Sequence, residues 1–455
     1  MKRVILGLYY SLPVFLQNAA ISLYGLFLYF SRYSGDYKKY RKLFVSRKHL
    51  NLREERHIQN KRFLKLLSYA VENSPFYKEF YKGISLKEIK SAEDIHRLPI
   101  LSKDILRDNI ERIYTIPNYR SLTFHTGGTT GIPVKVRKRK KDVQQRMAYL
   151  DAYKQSFGFT SNKMRAARFT GRKIVEDKPA KPVFWRNNYT LRQRLYSTYH
   201  LSEENLLLYV KDLNRYKPQS IEGFVSAIYT VAKYMEEKGL KPEFIPKAVF
   251  TTSETVLPYH RETIEKVFGC PLSDQYASNE GAPFIIQCPF GAYHEAIDTG
   301  IFEHIPAKEG TRILVTGFDT FGTPLIRYDI GDVIREGGEK CPCGSVHPVI
   351  KRIEGREADF ITTKGGTFSQ VQLSYLVSSL HTHIKQMQFK LKSDGSLIIL
   401  CQPVRNKLNR KDTGIVEKNI REFLGQETVF ALEFTDNINR TASGKYRLIL
   451  KEEQA

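Results

Sequence analysis

The chain has 455 residues, 41% of them hydrophobic, and a formal net charge of +24 at pH 7. This composition is that of a globular protein, and the length suffices for one large domain and a smaller one. The charge suits an anionic partner such as acidic lipid or a phosphorylated small molecule. Because the basic residues are spread along the chain without a nucleic-acid-binding motif, we expect no nucleic-acid partner. Five cysteines exclude a secreted disulfide framework and indicate the cytoplasm.

The N-terminal segment carries no charge between Arg3 and Arg32. About 20 apolar residues would span a bilayer, but Pro13 and two amide side chains interrupt this stretch. We expect a helical hairpin that docks on the protein or lies in a membrane interface; a transmembrane span and a cleaved signal peptide are the alternatives. The basic segment 38–49 would suit the anionic cytoplasmic face of a membrane, or simply form a solvated helix face.

The next segments predict helices and then a layered α/β domain. Apolar spacing over residues 50–95 predicts an amphipathic helix, and Ser102 is a candidate N-cap for the following one. From 120 to about 350, strands alternate with helical segments. One example is a strand that leads into a helix ending at Gly239. After Gly355 the pattern changes to short strands and two helices, with a strand pair joined by a turn at 394–395.

These patterns predict two domains. The larger, residues 1–355, is an α/β domain of layered sheets and helices that carries an N-terminal extension over 1–48. The smaller, residues 356–455, is an α+β domain.

The segment "FHTGGTTGIPVKV" at 124–136 reads as a glycine-rich loop between two strands. Glycine allows backbone N–H groups to face a ligand, and threonine adds hydroxyl donors, so the loop is suited to phosphate. A P-loop has lysine directly after its last glycine, whereas here Gly131 is followed by Ile132 and the next lysine is Lys135. The P-loop interpretation therefore fails, and a flexible surface turn is the alternative.

Two further stretches contain candidate acidic ligands. "DQYASNEG" places Tyr276 and Glu280 in a loop, where the carboxylate could hold Mg²⁺ together with phosphates. "TPLIRYDIGDV" places Asp329 and Asp332 after an apolar strand, where one carboxylate could accept ribose hydroxyls. Taken singly, each would be a solvated acid or a strand-end ion pair.

Two basic motifs complete the set. "IEGREADF" has Arg356 and Asp359 at the expected domain boundary, and "INRTASGKYRL" has Lys445 on a glycine-containing loop. In this order and at these separations, the motifs resemble those of the adenylate-forming superfamily. The resemblance is strongest to the phenylacetate–coenzyme A ligase branch and its CapK-like members from polysaccharide gene clusters. It covers the whole chain and includes "FTGR", "FWRNN", "YKPQSIEGFVSAI" and "TTSET".

The resemblance implies an AMP-forming ligase that uses ATP, Mg²⁺ and coenzyme A. A carboxylic acid would be activated as an acyl-adenylate with pyrophosphate release, and the acyl group would pass to coenzyme A or to an amine or sugar acceptor in capsular polysaccharide biosynthesis. A non-catalytic, membrane-apposed scaffold or nucleotide-binding protein is the alternative. The acid and the oligomeric state are not specified; a homodimer is compatible with the sequence.

Residue roles follow from the same resemblance. The β- and γ-phosphates would be held by Thr126, Gly127, Gly128, Thr129, Thr130 and Gly131, with Lys135 nearby. The adenosine would contact Ser253, Glu254 and Tyr276, and its ribose Asp332. Glu280 would bind Mg²⁺, Arg356 would support the nucleotide, and Asp359 would be the pivot of a mobile C-terminal domain. Lys445 would bridge the carboxylate and the α-phosphate. Phe169, Trp185 and Tyr276 would line the acyl pocket.

The chain departs from the family pattern at two places. Asn279 precedes the expected Mg²⁺ ligand where many relatives have another residue. The run at 137–141, "RKRKK", is more basic than the motif requires. It would bind the phosphates of coenzyme A or a lipid surface, or be simply solvated.

Four residues form a candidate metal site: Cys288, His294, Cys341 and Cys343. Two Cys/His pairs on separate loops suit a closed, structural Zn²⁺ site, and similar sets occur in the phenylacetate-ligase branch. Loop or buried thiols without a metal are the alternative. His347 is the reserve ligand, and the two remaining cysteines are expected to be packing residues.

Overall fold

The computed structural model describes residues 2–125, 134–307, 310–338, 340–356, 360–363, 366–380, 382–392, 394, 396–404, 408–438 and 446–452. Of residues 2–5, 48 and 378, only the backbone is described. Residues 126–131 of the glycine-rich loop, the proposed pivot Asp359 and Lys445 lie outside these ranges.

The described helices are α1 Lys2–Ser11, α2 Val14–Arg32, α3 Tyr37–Ser46, α4 Leu52–Asn73, α5 Pro75–Phe80, α6 Lys103–Asp108, α7 Ile110–Ile113, α8 Lys140–Gln155, α9 Glu203–Tyr216, α10 Val225–Glu237, α11 Pro258–Phe268, α12 Gln370–Ser379 and α13 Arg410–Leu424. Short 3₁₀ turns cover Arg47–His49, Leu86–Glu88, Ala92–Arg97 and Asn118–Arg120.

The described strands are β1 Leu122–His125, β2 Lys135–Lys138, β3 Ala166–Thr170, β4 Trp185–Asn188, β5 Gln193–Ser197, β6 Ser220–Gly223, β7 Ala248–Thr251, β8 Leu272–Tyr276, β9 Ile285–Gln287, β10 Tyr293–Glu295, β11 Gly300–Ala307, β12 Gly310–Gly317, β13 Tyr328–Arg335, β14 Val349–Ile350, β15 Arg352–Arg356, β16 Ile361–Thr363, β17 Gly366–Phe368, β18 Ile384–Leu391, β19 Leu397–Pro403, β20 Phe430–Phe434 and β21 Ile449–Lys451.

The main sheet has nine strands in the order β14-β10-β9-β8-β7-β6-β3-β5-β4. Its central strands β5, β3, β6, β7 and β8 are parallel. All residues of β6 and β7 are buried, as expected where a parallel sheet is covered on both faces. Ligands of such sheets bind at the carboxyl ends of the parallel strands, which here follow Gly223, Thr251 and Tyr276.

A second sheet, β11-β12-β13-β15, is antiparallel and packs on a large apolar core that includes Phe63 and Leu66 of α4. The strand pair expected on either side of the glycine-rich loop is present as antiparallel β1 and β2. Ser102 caps α6 as predicted, because its Oγ accepts a hydrogen bond from the Ile105 N–H at 3.2 Å. The predicted α/β fold class is confirmed.

The last part of the chain forms a smaller unit. Its sheet has the order β20-β19-β18-β21, and the predicted strand–turn–strand is the antiparallel pair β18–β19. A separate apolar core lies between this sheet and α12 and α13, with Met387, Phe389 and Ile420 fully buried. Leu257, at the start of α11, joins that core from the larger unit.

The N-terminal helices α1 and α2 pack on the larger unit. Asn18 Oδ1 accepts a hydrogen bond from the Asn187 N–H of β4 at 2.9 Å. In the described part of the chain, α2 alone is long and apolar enough to cross a membrane, and only 28% of its apolar window is buried. Its outer face exposes Leu23 and Phe27, at 69% and 57%. The helix is therefore docked on one side and apolar toward solvent on the other.

Candidate active site

A cavity of about 510 Å³ lies at the carboxyl ends of the parallel strands, against the C-terminal unit. Among the residues that line it are six of those predicted from the sequence: Ser253, Glu254, Tyr276, Glu280, Asp332 and Arg356. We call this space the nucleotide cavity, after the role that the resemblance implies for these residues. Residues about 100 positions apart in the chain, from Ser253 to Arg356, therefore meet at one place, as the resemblance implied.

Asp332 is the central acid of this cavity. The Tyr276 hydroxyl donates a hydrogen bond to Asp332 Oδ2 at 2.6 Å, and Arg356 Nε lies 3.8 Å from Oδ1. Arg356 is brought there because β13 and β15 pair with Asp332 directly opposite it. Burial raises the pKa of Asp332 to about 6, although the hydrogen bond from Tyr276 and the charge of Arg356 oppose this.

The local setting of two residues differs from the prediction. Tyr276 is the last residue of β8 and not part of a loop, and Asp332 lies inside β13 and not after a strand. Both positions are sheet positions, which hold a side chain more rigidly than a loop does.

Ser253 and Glu254 form a turn after β7. Ser253 has φ +70°, a left-handed conformation that costs a non-glycine residue about 1–3 kcal/mol. The Glu254 carboxylate accepts hydrogen bonds from the N–H and Oγ of Ser226, at 2.9 and 3.0 Å, in the first turn of α10. It also accepts one from the Tyr446 N–H at 3.0 Å. Glu254 therefore links the larger unit to the C-terminal unit at the cavity, through the residue that follows Lys445 in the sequence.

The loop that carries Glu280 lies against the start of the glycine-rich segment. Asn279 Nδ2 donates a hydrogen bond to the carbonyl oxygen of His125, the last residue of β1, at 2.9 Å. Asn279, a departure from the family pattern, thus has a structural role. The Glu280 side chain is half-buried beside this contact and lines the nucleotide cavity, where a carboxylate could hold a cation.

Arg146 of α8 also holds the loop that carries Glu280. Its guanidinium donates to the carbonyl oxygens of Ser278 and Ala282 at 3.3 and 3.0 Å, and pairs with Asp319 at 3.0 Å. No sequence motif indicated this residue, because it acts only through distant contacts.

The basic run is not a solvated surface over residues 137–139, so that interpretation is wrong there. Arg137 pairs with Glu111, and Arg139 with Asp142. Lys138 is buried, and burial lowers its pKa to about 8. A Cβ at Gly281 would lie 3.5 Å from its Nζ, which places Lys138 beside the Glu280 loop.

Lys135 has an exposed side chain and does not line the nucleotide cavity. Along β2, the side chains of Val136 and Lys138 are buried and that of Lys135 is exposed, as the two-residue period of a strand requires. Lys138 is therefore the buried lysine on this strand, and the prediction missed it. The signal available in the sequence was its spacing: Lys138 is two residues after the apolar Val136, so both side chains lie on the same face of the strand.

The predicted metal ligands Cys288, His294, Cys341 and Cys343 form one cluster. One donor atom from each lies within 4.8 Å of all the others. Cys288 Sγ and Cys341 Sγ are 3.5 Å apart, and Cys343 Sγ is 3.4 Å from His294 Nε2. Three thiols and one imidazole are a donor set that fits tetrahedral Zn²⁺.

His347 does not serve as a reserve ligand, so that prediction is wrong. Its carbonyl oxygen lies 3.2 Å from His294 Nδ1 and leaves Nε2 directed to the cluster, a usual outer contact of metal-binding histidines. The His347 ring instead lies with the buried carboxylates of Glu55 and Asp298.

The prediction that Phe169 and Trp185 line the acyl pocket is wrong. Phe169 is buried and stacked on Tyr196, and Trp185 packs against the same tyrosine. Both belong to the core on one face of the main sheet, and neither lines the nucleotide cavity. Tyr276 is the member of that set which does line it.

Comparison with known proteins places these features in context. Residues 360–452 match the CapK C-terminal domain family. The chain is 34% identical over 446 residues to Protein CapK of Staphylococcus aureus, a match that covers 96% of this chain and 97% of that protein. It is 21% identical over 367 residues to the phenylacetate-coenzyme A ligase of Thermus thermophilus, covering 75% and 79% of the two chains.

Solved structures share the fold. A 2-hydroxyisobutyryl-CoA ligase in complex with R3-HIB-AMP superposes with a TM-score of 0.73 at 18% identity, covering 90% of this chain and 92% of that one. The GH3.15 acyl acid amido synthetase superposes with a TM-score of 0.55 at 13% identity, covering 88% and 86%. The two-part architecture described above is thus shared with both.

Proposed function

The chain belongs to the CapK family within the adenylate-forming superfamily, and from this premise we propose that it is an ATP-dependent ligase of a carboxylic acid. The carboxylate oxygen attacks the α-phosphorus, the bond between the α- and β-phosphates breaks, and pyrophosphate leaves. The acyl group then passes from AMP to the thiol of coenzyme A, or to an amine or sugar acceptor in polysaccharide assembly. The convergence of Tyr276, Glu280, Asp332 and Arg356 on one cavity is the observation that carries this proposal.

The reaction brings two anions together, so the protein contributes position and charge neutralisation. In this proposal the Asp332 carboxylate accepts the ribose hydroxyls, and Arg356 and the Tyr276 hydroxyl hold that carboxylate in place. The glycine-rich loop donates backbone N–H groups to the leaving pyrophosphate. Lys138 and Lys445 supply positive charge toward the phosphates. Mg²⁺, held by Glu280, would neutralise phosphate oxygens when bound.

The position of the C-terminal unit supports a role for Lys445 in the first step. Tyr446, which follows it, lines the nucleotide cavity and donates its N–H to Glu254. We propose that residues 356–455 rotate about Asp359 between the two half-reactions, which would break that hydrogen bond and withdraw Lys445.

The test is pyrophosphate release from ATP and Mg²⁺ across a panel of carboxylic acids, with wild type compared to Lys445→Ala. We expect release that depends on one class of acid and falls by about 10²-fold or more in kcat in the variant, because the charge acts in the transition state. Lys451→Ala, a lysine at the end of β21, is the control. The absence of both turnover and ATP binding would contradict the proposal and favour the scaffold alternative.

We also propose a structural Zn²⁺ at the cluster of three cysteines and His294. The three thiols and the imidazole occupy all four positions of a tetrahedral ion, so it would fix two loops and do no chemistry.

The N-terminal face supports a proposed contact with anionic membranes. The exposed side chains of α2 are apolar, and the neighbouring α3 carries Lys38, Lys39, Arg41 and Lys42. Apolar residues beside a basic helix are suited to insertion at a lipid surface with acidic headgroups.

A further inference from the structure

A second cavity, of about 180 Å³, lies beside the nucleotide cavity. Gln275 of β8 lines both, and Gly223 and Thr252, at the carboxyl ends of β6 and β7, line the second. An acid whose reacting carboxylate lies in the nucleotide cavity would therefore extend its remainder into this space. The inference that follows rests on the proposed function.

Charged side chains line the second cavity: Arg32, Asp151, Lys154, Arg168 and Glu222. Both acids already have partners. Lys154 Nζ lies 2.8 Å from Glu222 Oε2, and Asp151 Oδ2 accepts a hydrogen bond from the Tyr37 hydroxyl. The positive charge that remains in the cavity is therefore that of the two arginines, and an anion would complement it.

Arg32 and Arg168 are incompletely compensated. The neighbouring charges that act most strongly on Arg32, half-buried at the end of α2, are those of tyrosines and arginines, and none of them is a carboxylate. Arg168 Nε is 3.6 Å from Glu222 and forms no hydrogen bond with any described residue. Burial lowers the pKa of Arg32, and the nearby charges of Arg168 and Arg172 lower it further. A desolvated guanidinium is costly unless an anion pairs with it.

Strand geometry explains why Arg168 faces the cavity. Arg168 and Phe169 are neighbours on β3, so their side chains point to opposite faces of the sheet. Phe169 faces the apolar core and Arg168 faces the cavity. Met147 and Leu150 of α8 cover part of the remaining wall.

We propose that the acid activated by this protein is a short dicarboxylic acid, whose second carboxylate pairs with Arg32 and Arg168 in the second cavity. Guanidinium groups bind carboxylates through two parallel hydrogen bonds, which gives both affinity and orientation. The volume of the second cavity, about 180 Å³, is roughly a third of the 510 Å³ of the nucleotide cavity, so the chain between the two carboxylates is short. Phenylacetate, named for the Thermus thermophilus relative, has no second carboxylate, so neither guanidinium would gain an anion from it.

Matched pairs of acids test this proposal by pyrophosphate release: succinate against butyrate, glutarate against pentanoate, and adipate against hexanoate. We expect kcat/KM for at least one diacid to exceed that of its matched monoacid by about tenfold or more. Arg32→Gln should raise the ratio of the diacid KM to the monoacid KM by about tenfold, and Arg32→Lys should recover part of this loss of preference. Equal or preferred use of the monoacids would overturn the proposal.

A binding measurement separates this proposal from the proposed function. Diacid binding, measured by calorimetry and by the shift of Tm at millimolar concentration, requires no turnover. Diacid binding that Arg32→Gln and Arg168→Gln both weaken, without pyrophosphate release from any acid, supports the cavity assignment and contradicts the ligase. The exposed Arg107→Gln is the matched control. Failure of every diacid to bind wild type overturns the assignment. A purely structural role of Arg32 would lower the Tm without changing the preference for diacids.

Discussion

The raised pKa of Asp332 leads to a pH dependence of nucleoside binding. A ribose hydroxyl donates its proton, so the carboxylate and not the carboxylic acid is the form that accepts it. With a pKa of about 6, Asp332 is about nine-tenths ionised at pH 7 and about one-tenth ionised at pH 5. Because only the ionised fraction binds, the Kd for adenosine should rise by about tenfold between these two pH values.

The charged groups around Asp332 define the expected size of this effect. Tyr276 and Arg356 favour the carboxylate, as does the charge of Lys103, whereas Glu280 and burial oppose it. On the unliganded fold the effect has the opposite sense. Between pH 3.8 and about 6 the folded protein holds more protons than the unfolded chain, so this group's contribution to the free energy of unfolding falls as the pH rises.

Calorimetric titration with adenosine at a series of pH values from 5 to 8 measures this dependence, since adenosine has no phosphate to titrate. Asp332→Asn should bind weakly at every pH and lose the dependence. Asp329→Asn, on the same strand but outside the nucleotide cavity, should behave as wild type. A Kd in wild type that stays constant from pH 5 to 8 would refute the assignment of Asp332 to the ribose.

Three other predictions concern the metal, the fold and the membrane. Wild type should contain about one zinc per chain by atomic emission, and Cys341→Ser should lose it while the buried Cys270→Ser retains it. Gly223→Ala should lower the free energy of unfolding by more than about 3 kcal/mol in denaturant titration. The reason is that its Cβ would lie 1.8 Å from a backbone oxygen, whereas Gly83→Ala, where φ is also positive but space is open, should lose far less. Phe27→Ser should weaken binding to phosphatidylglycerol vesicles by about tenfold in co-sedimentation, and Tyr119→Ser, at a side chain that is exposed elsewhere (80% against 57% for Phe27), should not. Zinc retained at about one per chain in Cys341→Ser, equal losses of unfolding free energy in the two glycine variants, or unchanged sedimentation of Phe27→Ser would contradict them in turn.

Local patterns predicted what local physics determines. The strands on either side of the glycine-rich loop, the α6 cap at Ser102 and the β18–β19 pair depend on neighbouring residues, and each is present. The convergence of Glu280 and Asp332 was predicted through their order along the chain, because their family resemblance contains the tertiary information that spacing alone lacks.

The wrong predictions concern side chains whose position depends on which face of a strand they occupy, or on contacts with residues far away in the chain. Phe169 was expected in the acyl pocket, but the two-residue period of β3 turns it into the core and turns Arg168 toward the cavity. Lys138 was missed for the same reason on β2. Arg32 contacts a cavity built mostly from residues more than 100 positions later, and no local pattern could indicate that.

The two faces of α2 affect how the protein can be handled. Its apolar outer face makes the N-terminal segment an obvious candidate for removal in recombinant work, since such a surface promotes aggregation. Its inner end, however, contributes Arg32 and Tyr33 to the wall of the second cavity. A shortened chain would gain solubility, but the wall of its second cavity would be open to water. The absence of pyrophosphate release from such a chain would therefore say nothing about the intact protein. Detergent or lipid added to the full-length chain is the safer route.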